Sequence, residues 1–252
     1  MATRSRQRTR RRAPAAEEGA IRISAKNLGG LALPGCCRRC FYLKLHNRFT
    51  GPWQVFPGIF SSIDSFTKNV AHAYFDRHGC APPWLADLGD VTGYVEPPHY
   101  SRFQLVDEHY GVRLTGAPDG ILVRAGGGHV IVDYKTARFT AHQDELLPMY
   151  QVQLNVYAMI AEACRIRPVT DLALVYMEPL TDRCTNDAAC RKNGFRMDFG
   201  AHVLPVARDP ELVNPLLEQV REIYRLTSPP PAADGCKDCA ILVRLLSLVS
   251  AR

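Results

Sequence analysis

Two short apolar runs between Gly120 and Tyr134 constrain this 252-residue chain more than any other stretch. Gly120-Ile-Leu-Val-Arg124 and Val130-Ile-Val-Asp-Tyr134 are rich in β-branched residues, with Ala125-Gly-Gly-Gly-His129 between them. That pattern predicts two strands joined by a turn. A further strand is expected just upstream, over Gly111-Val-Arg-Leu-Thr-Gly-Ala117. Side chains alternate along a strand, so Asp133 and Lys135 share one face. The hairpin folds Asp119, at the entry to the first run, back towards the same point. Two carboxylates and one ammonium then converge at a sheet edge.

Around this hairpin the period changes. Residues 61–77 carry Ile63, Phe66, Val70 and Tyr74 at helical spacing. A second helix is expected over about 144–164, with Leu146, Met149, Tyr150, Leu154, Tyr157 and Ile160 as inward positions. Leu172–Met177 and residues 195–206 predict strands. Residues 210–226 predict a helix, with Pro210 where a first turn tolerates proline, and Ala240–Val249 a short apolar one. A helix-like stretch surrounds Cys40. Trp53–Gly58 and residues 182–194 read as loops. The order is helix, meander of strands, helix, strand, strand, helix: a mixed α/β sheet flanked by helices.

Hydrophobic residues make up 46% of the chain and charged residues 22%, an ordinary globular balance. No run approaches the roughly 20 apolar residues of a membrane span. The start MATRSRQRTRRR lacks the apolar stretch of a secretory signal, so a cytoplasmic location is expected. The net charge of +6 belongs to that start, which holds Arg4, Arg6, Arg8, Arg10, Arg11 and Arg12. The remaining 25 basic residues match the 25 acidic ones. Residues 1–20 therefore read as a disordered basic arm, and 21–252 as a single domain with its chemical core at about 110–180. Such an arm attracts nucleic acid non-specifically or only aids solubility, and a transit peptide is a third reading.

Hard oxygen ligands such as Asp119 and Asp133 suit Mg²⁺ or Mn²⁺. A metal so held lowers the pKa of a bound water and offsets charge on a phosphorane-like transition state. A lysine beside it orients that water or stabilises the developing charge. Gln153 and Tyr157 are spaced i, i+4 on the following helix and point one way, towards Lys135 or a phosphate.

Pro118-Asp119, then Asp133-Tyr134-Lys135, then Gln153-x-x-x-Tyr157 resembles the signature of the PD-(D/E)XK nuclease superfamily. The last motif is similar to its RecB-type branch, with the AddB-like exonucleases and the CRISPR-adaptation nucleases. The resemblance implies a restriction-endonuclease-like core and a metal-dependent deoxyribonuclease, with DNA as partner and a repair or defence complex around it. It implies that Asp119, Asp133 and the backbone carbonyl of Tyr134 bind Mg²⁺ or Mn²⁺. Lys135 would be the catalytic lysine, with Gln153 and Tyr157 in support. The family also places a His or Glu on an upstream helix after a glycine. Here Gly58-Ile-Phe-Ser-Ser-Ile-Asp64 carries serines instead, so Asp64, as an auxiliary metal ligand, and His72 are the nearest substitutes. Lys68, between them, contacts a phosphate or simply solvates that face.

Nine cysteines without a secretory signal point to reduced thiols or metal ligation. Cys37-x-x-Cys40 and Cys236-x-x-Cys239 supply four thiolates, enough for zinc or an iron–sulfur cluster. The RecB-type pattern staples its termini with one N-terminal cysteine and three C-terminal ones. No third cysteine follows Cys239, so Cys40 is taken as the missing ligand, and Cys36 competes for the N-terminal pair. Cys184 and Cys190 lie in a polar loop and are expected to be unligated, and Cys80 and Cys164 to be ordinary small apolar residues. Two further readings stay open. One is a non-catalytic nucleic-acid-binding module that kept the nuclease fold. The other is a metal-clamped protein-interaction module.

Overall fold

The computed structural model describes residues 20–50, 57–140, 145–181 and 189–250. Most of the Arg-rich arm, together with Trp53 and Cys184, therefore lies outside the described residues.

The two apolar runs form the centre of a mixed sheet. Strands β1 (Ile21–Ser24), β2 (Val91–Tyr94), β3 (Gln104–Asp107), β4 (Val112–Thr115), β5 (Gly120–Arg124), β6 (His129–Lys135), β7 (Val169–Pro179), β8 (Cys190–Arg191), β9 (Gly194–Phe195) and β10 (Phe199–Val206) alternate with helices. These are α1 (Ala25–Gly29), α2 (Arg38–His46), α3 (Gly58–His78), α4 (Leu147–Ala163), α5 (Asn214–Arg225) and α6 (Lys237–Ser250). The main sheet has the order β10-β7-β6-β5-β2. β5 and β6 form the expected antiparallel hairpin, with Gly120 opposite Val132. β6 and β7 are parallel, so the chain must cross over between them, and α4 makes that crossover. β10 closes one edge antiparallel to β7. A separate sheet, β1-β4-β3, pairs β1 parallel to β4.

β6 is hydrophobic on both faces because both are covered. Ile131 packs with Ile121, Leu154 and Leu174 on the α4 side. Val130 and Val132 pack with Leu122, Val175, Leu85 and Phe75 on the other. Burying each of these side chains contributes about 1.5–3 kcal/mol. The alternation continues past the apolar run. Asp133 and Lys135 follow Ile131 onto the α4 face, whereas Tyr134 turns the other way, 6.3 Å between ring centroids from Trp84.

The structure departs from the sequence expectations in definite ways. β4 ends at Thr115, because Gly116 has φ of 120°, outside the strand region. The strand expected over 195–206 is β9 followed by β10. The apolar spacing of α3 points the wrong way: Phe66 is 70% and Val70 40% exposed, and the buried line is Thr67, Ala71 and Phe75. Leu146 is likewise exposed, one residue before α4 begins. Cys80 is exposed just after α3 rather than packed, and Cys164 is half-buried with its thiol towards the Arg102 carbonyl. β1, β2 and β3 are each four residues long, too short for periodicity alone to reveal.

Candidate active site and cysteine cluster

Asp133 and Gln153 are each only 4% exposed, so their polar atoms must find partners in the protein. The parallel β6–α4–β7 crossover lays α4 against the face that carries Asp133. Gln153 Nε2 donates to Asp133 Oδ1 at 3.2 Å and to the Tyr157 hydroxyl at 2.9 Å. Two acceptors on one nitrogen settle the orientation of the amide, since a turned amide would set an oxygen against the carboxylate. Gln153 Oε1 is then buried without a hydrogen-bond partner among the described residues. Asp133 Oδ2 forms an ion pair with the Lys135 ammonium, two residues on and on the same face. That ammonium also lies 4.3 Å from the ring centroid of Tyr150, a cation–π contact that limits where it can point.

The β5–β6 register brings Asp119 alongside. Its Oδ2 accepts the Tyr134 backbone N–H at 2.8 Å. Its Oδ1 meets Lys68 Nζ at 2.7 Å, and the same ammonium reaches Asp64 Oδ2 at 2.8 Å. Two glycines allow this approach. A Cβ on Gly120 would meet Val132 Cγ2 at 2.7 Å, and one on Gly116 would meet the Tyr157 ring at 3.0 Å. Asp64, Asp119, Tyr134, Lys135 and Tyr150 line one open cavity of about 520 Å³, with Arg138 at its wall.

Burial, then the charge of Asp133, pushes the Asp119 carboxyl up to about 6, and Lys68 opposes the rise. Burial pulls the Lys68 ammonium down, but Asp119 and Asp64 outweigh it and its pKa is raised. Burial and then the neighbouring aspartates push the Tyr157 and Tyr134 hydroxyls up, so both stay neutral. The repulsion of Asp133 on the half-buried Asp119 carboxylate is relieved by a hard cation between them. The oxygen donors of Asp119 and Asp133 fit such an ion.

Asp119, Asp133, Lys135, Gln153 and Tyr157 thus come together. Asp64 lines the same cavity, and Lys68 ties it to Asp119. His72 does not: its ring stacks on Tyr94 at 3.8 Å and faces Glu96. The bridging position of Lys68 went unforeseen, although its i, i+4 spacing from Asp64 was there to be read. Tyr150, one turn before Gln153, was expected only as a core position.

At the far side, α2 and α6 bring the two cysteine pairs together. The Sγ atoms of Cys37, Cys40, Cys236 and Cys239 all lie within 4.8 Å of one another. Cys37 to Cys239 is 3.7 Å, Cys40 to Cys236 3.6 Å and Cys40 to Cys239 3.3 Å. Thiolates bound at about 2.3 Å around one tetrahedral ion stand roughly 3.8 Å apart, so the four sulfurs fit a single ion. A cluster with iron and sulfide between its thiolates holds them farther apart. Burial pushes the Cys37 thiol up. The backbone N–H groups of Ala233 and Cys40 and the thiols of Cys239 and Cys236 outweigh it and bring it down to about 6. Burial and the neighbouring thiols push Cys40 up. Cys36 is half-buried and outside the group.

The family model described as the PD-(D/E)XK nuclease superfamily matches residues 71–243. That is more than half of the chain, and the chain belongs to this superfamily. The superfamily is one of nucleases, and its fold implies a nucleic acid substrate. No curated protein matches the chain. Among solved structures, the crystal structure of SSO0001 is similar over 86% of this chain and 81% of that one, at 15% identity and a TM-score of 0.41. No described helix is long and apolar enough to cross a membrane.

Proposed function

We propose that the protein is a metal-dependent deoxyribonuclease of the RecB-like branch, hydrolysing DNA phosphodiester bonds. The observation that carries this reading is that Asp119 and Lys135 line one open cavity while Asp133, ion-paired to Lys135, lies buried just behind it with Gln153 and Tyr157. Asp119 and Asp133, with the main-chain carbonyl of Tyr134, would hold Mg²⁺ or Mn²⁺, and Asp64 is the auxiliary ligand. When bound, the ion supplies a water of lowered pKa and a positive centre against phosphate charge. Lys135 orients that water and faces the charge that develops on the phosphate. The Tyr150 ring holds the Lys135 ammonium in place. Gln153 fixes the Asp133 carboxylate, and Tyr157 fixes Gln153.

Residues 21–252 act as one nuclease-like domain in the cytoplasm, and the Arg-rich arm adds non-specific attraction to DNA. Zinc, the ion that favours four thiolates in a closed tetrahedron, is the occupant of the cysteine group, which clamps α2 to α6 and takes no part in cleavage. Protein partners in a repair or defence complex belong to the same reading.

The test is cleavage of labelled linear and circular DNA, single- and double-stranded, with Mg²⁺, Mn²⁺ or EDTA. Cutting that requires the metal and is lost in Asp133→Ala and Lys135→Ala, with both variants folded, supports the reading. Full activity in Asp133→Ala refutes the assignment. A mobility shift without cleavage in Mg²⁺ makes the protein a nucleic-acid-binding module instead.

A further inference from the structure

We propose that Lys68 occupies the cation position on Asp119 and must leave it when a divalent ion loads, so that it sets the metal affinity of the carboxylate pair and then serves the phosphate. The proposal rests on the reading of Asp119 and Asp133 as metal ligands.

The geometry of Asp119 makes its two oxygens unequal. Oδ2 is held at 2.8 Å by the Tyr134 N–H, a donor built into the backbone of β6. Oδ1 has a side-chain donor, the Lys68 ammonium at 2.7 Å. An ion that draws on Oδ1, the oxygen not held by the backbone, meets Lys68 there. An ammonium and a divalent cation cannot share one oxygen closely, because like charges a few ångströms apart repel strongly at low dielectric.

Lys68 has somewhere to go. Asp64 is four residues earlier on α3, and its Oδ2 already lies 2.8 Å from the same ammonium. The four-carbon stem can leave Asp119 and stay on Asp64 Oδ2, which leaves Asp64 Oδ1 for the auxiliary position, with no change in α3. The displacement costs one ion pair and keeps the other. It also leaves the ammonium beside the cavity that Asp64 and Asp119 both line.

Charge explains why the device is useful. Asp64, Asp119 and Asp133 against Lys68 and Lys135 leave one net negative charge around the centre. A divalent ion makes that one net positive, the complement of a phosphodiester. Without Lys68 the same three carboxylates would hold the ion more tightly, and the loaded centre would be neutral towards DNA.

The experiment is a Mn²⁺ titration of the full chain with its cysteine metal intact, followed by calorimetry and by the electron-spin signal of free Mn²⁺. Wild type, Lys68→Met, Lys68→Gln, Lys68→Arg and Asp119→Asn are compared. Lys68→Met is expected to bind Mn²⁺ about tenfold more tightly, and to bind DNA more weakly in the presence of Mn²⁺. Lys68→Arg stays close to wild type. A merely structural lysine would give weaker metal binding when removed, so the direction of the change decides. Should Lys68→Met fail to fold, Lys68→Gln, a neutral donor, must show the same tightening. Unchanged or weaker Mn²⁺ binding in the folded lysine variants, with binding lost in Asp119→Asn, overturns the role of Lys68 alone. Mn²⁺ binding that does not depend on Asp119 overturns both this proposal and the metal site beneath it.

Discussion

Replacing Gln153 by leucine separates the supporting amide from the packing around it. Leucine is close in volume, so the core on the α4 face is kept and the change is confined to polar atoms. Two hydrogen bonds disappear, to Asp133 Oδ1 at 3.2 Å and to the Tyr157 hydroxyl at 2.9 Å. A bond to a charged group contributes about 1.5–3 kcal/mol and a neutral one about 1 kcal/mol, and the longer distance places the first at its lower end. Against that loss, the variant also removes Gln153 Oε1, which is buried without a hydrogen-bond partner among the described residues. Relief of such an orphan returns about 1 kcal/mol. The net cost is about 1–2 kcal/mol, a fall in Tm of about 2–8 °C for a chain of this length. The effect on catalysis is larger than the effect on stability. Residues that orient a ligating carboxylate typically cost about 10–100-fold when removed. The loss should appear in kcat, with KM for DNA little changed, because Gln153 lies behind Asp133 and not at the cavity wall. Thermal scans and steady-state cleavage of a labelled oligonucleotide measure both. Tyr157→Phe and the double variant complete a cycle in which the two losses must be less than additive. A variant that melts with the wild type and cuts within about twofold of it refutes the argument.

Three further outcomes follow from the same geometry. Gly116→Ala places a Cβ 3.0 Å from the Tyr157 ring at a φ of 120°. It is expected to cost about 1–3 kcal/mol in a denaturant titration and to lower cleavage through Tyr157. Tyr150→Leu removes the ring 4.3 Å from the Lys135 ammonium. It should slow cleavage several-fold with little change in Tm, since a half-buried cation–π contact is worth about 1 kcal/mol. Chelation of the cysteine metal, or Cys236→Ser, should release α6 and expose residues 228–240 to limited proteolysis, with loss of about one zinc per chain. Purified wild type that carries no metal, and whose proteolysis is the same with chelator, would remove the clamp.

What was legible beforehand follows from the range of each signal. The β5–β6 hairpin, the crossover helix α4 and the strand β7 were readable because each is long and apolar enough for its period to show. The site was readable for the same reason. Its groups sit at fixed offsets on those elements, Asp133 and Lys135 two apart on a strand and Gln153 and Tyr157 four apart on a helix. β1, β2 and β3 were invisible because four residues do not establish a period; β4, equally short, was legible because Gly111 and Gly116 frame it. α3 misled for a different cause. Its most apolar line, Phe66 and Val70, faces outward, and the line that packs is Thr67, Ala71 and Phe75. Turning α3 that way is what carries Lys68, one residue beyond Thr67, to Asp119. An α3 that buried Phe66 and Val70 instead would point Lys68 elsewhere and leave Asp119 Oδ1 without it. The helix whose burial pattern contradicts its own hydrophobic spacing is thus the helix that completes the charge arrangement of the site, and the exposed apolar residues on it are the cost of that orientation.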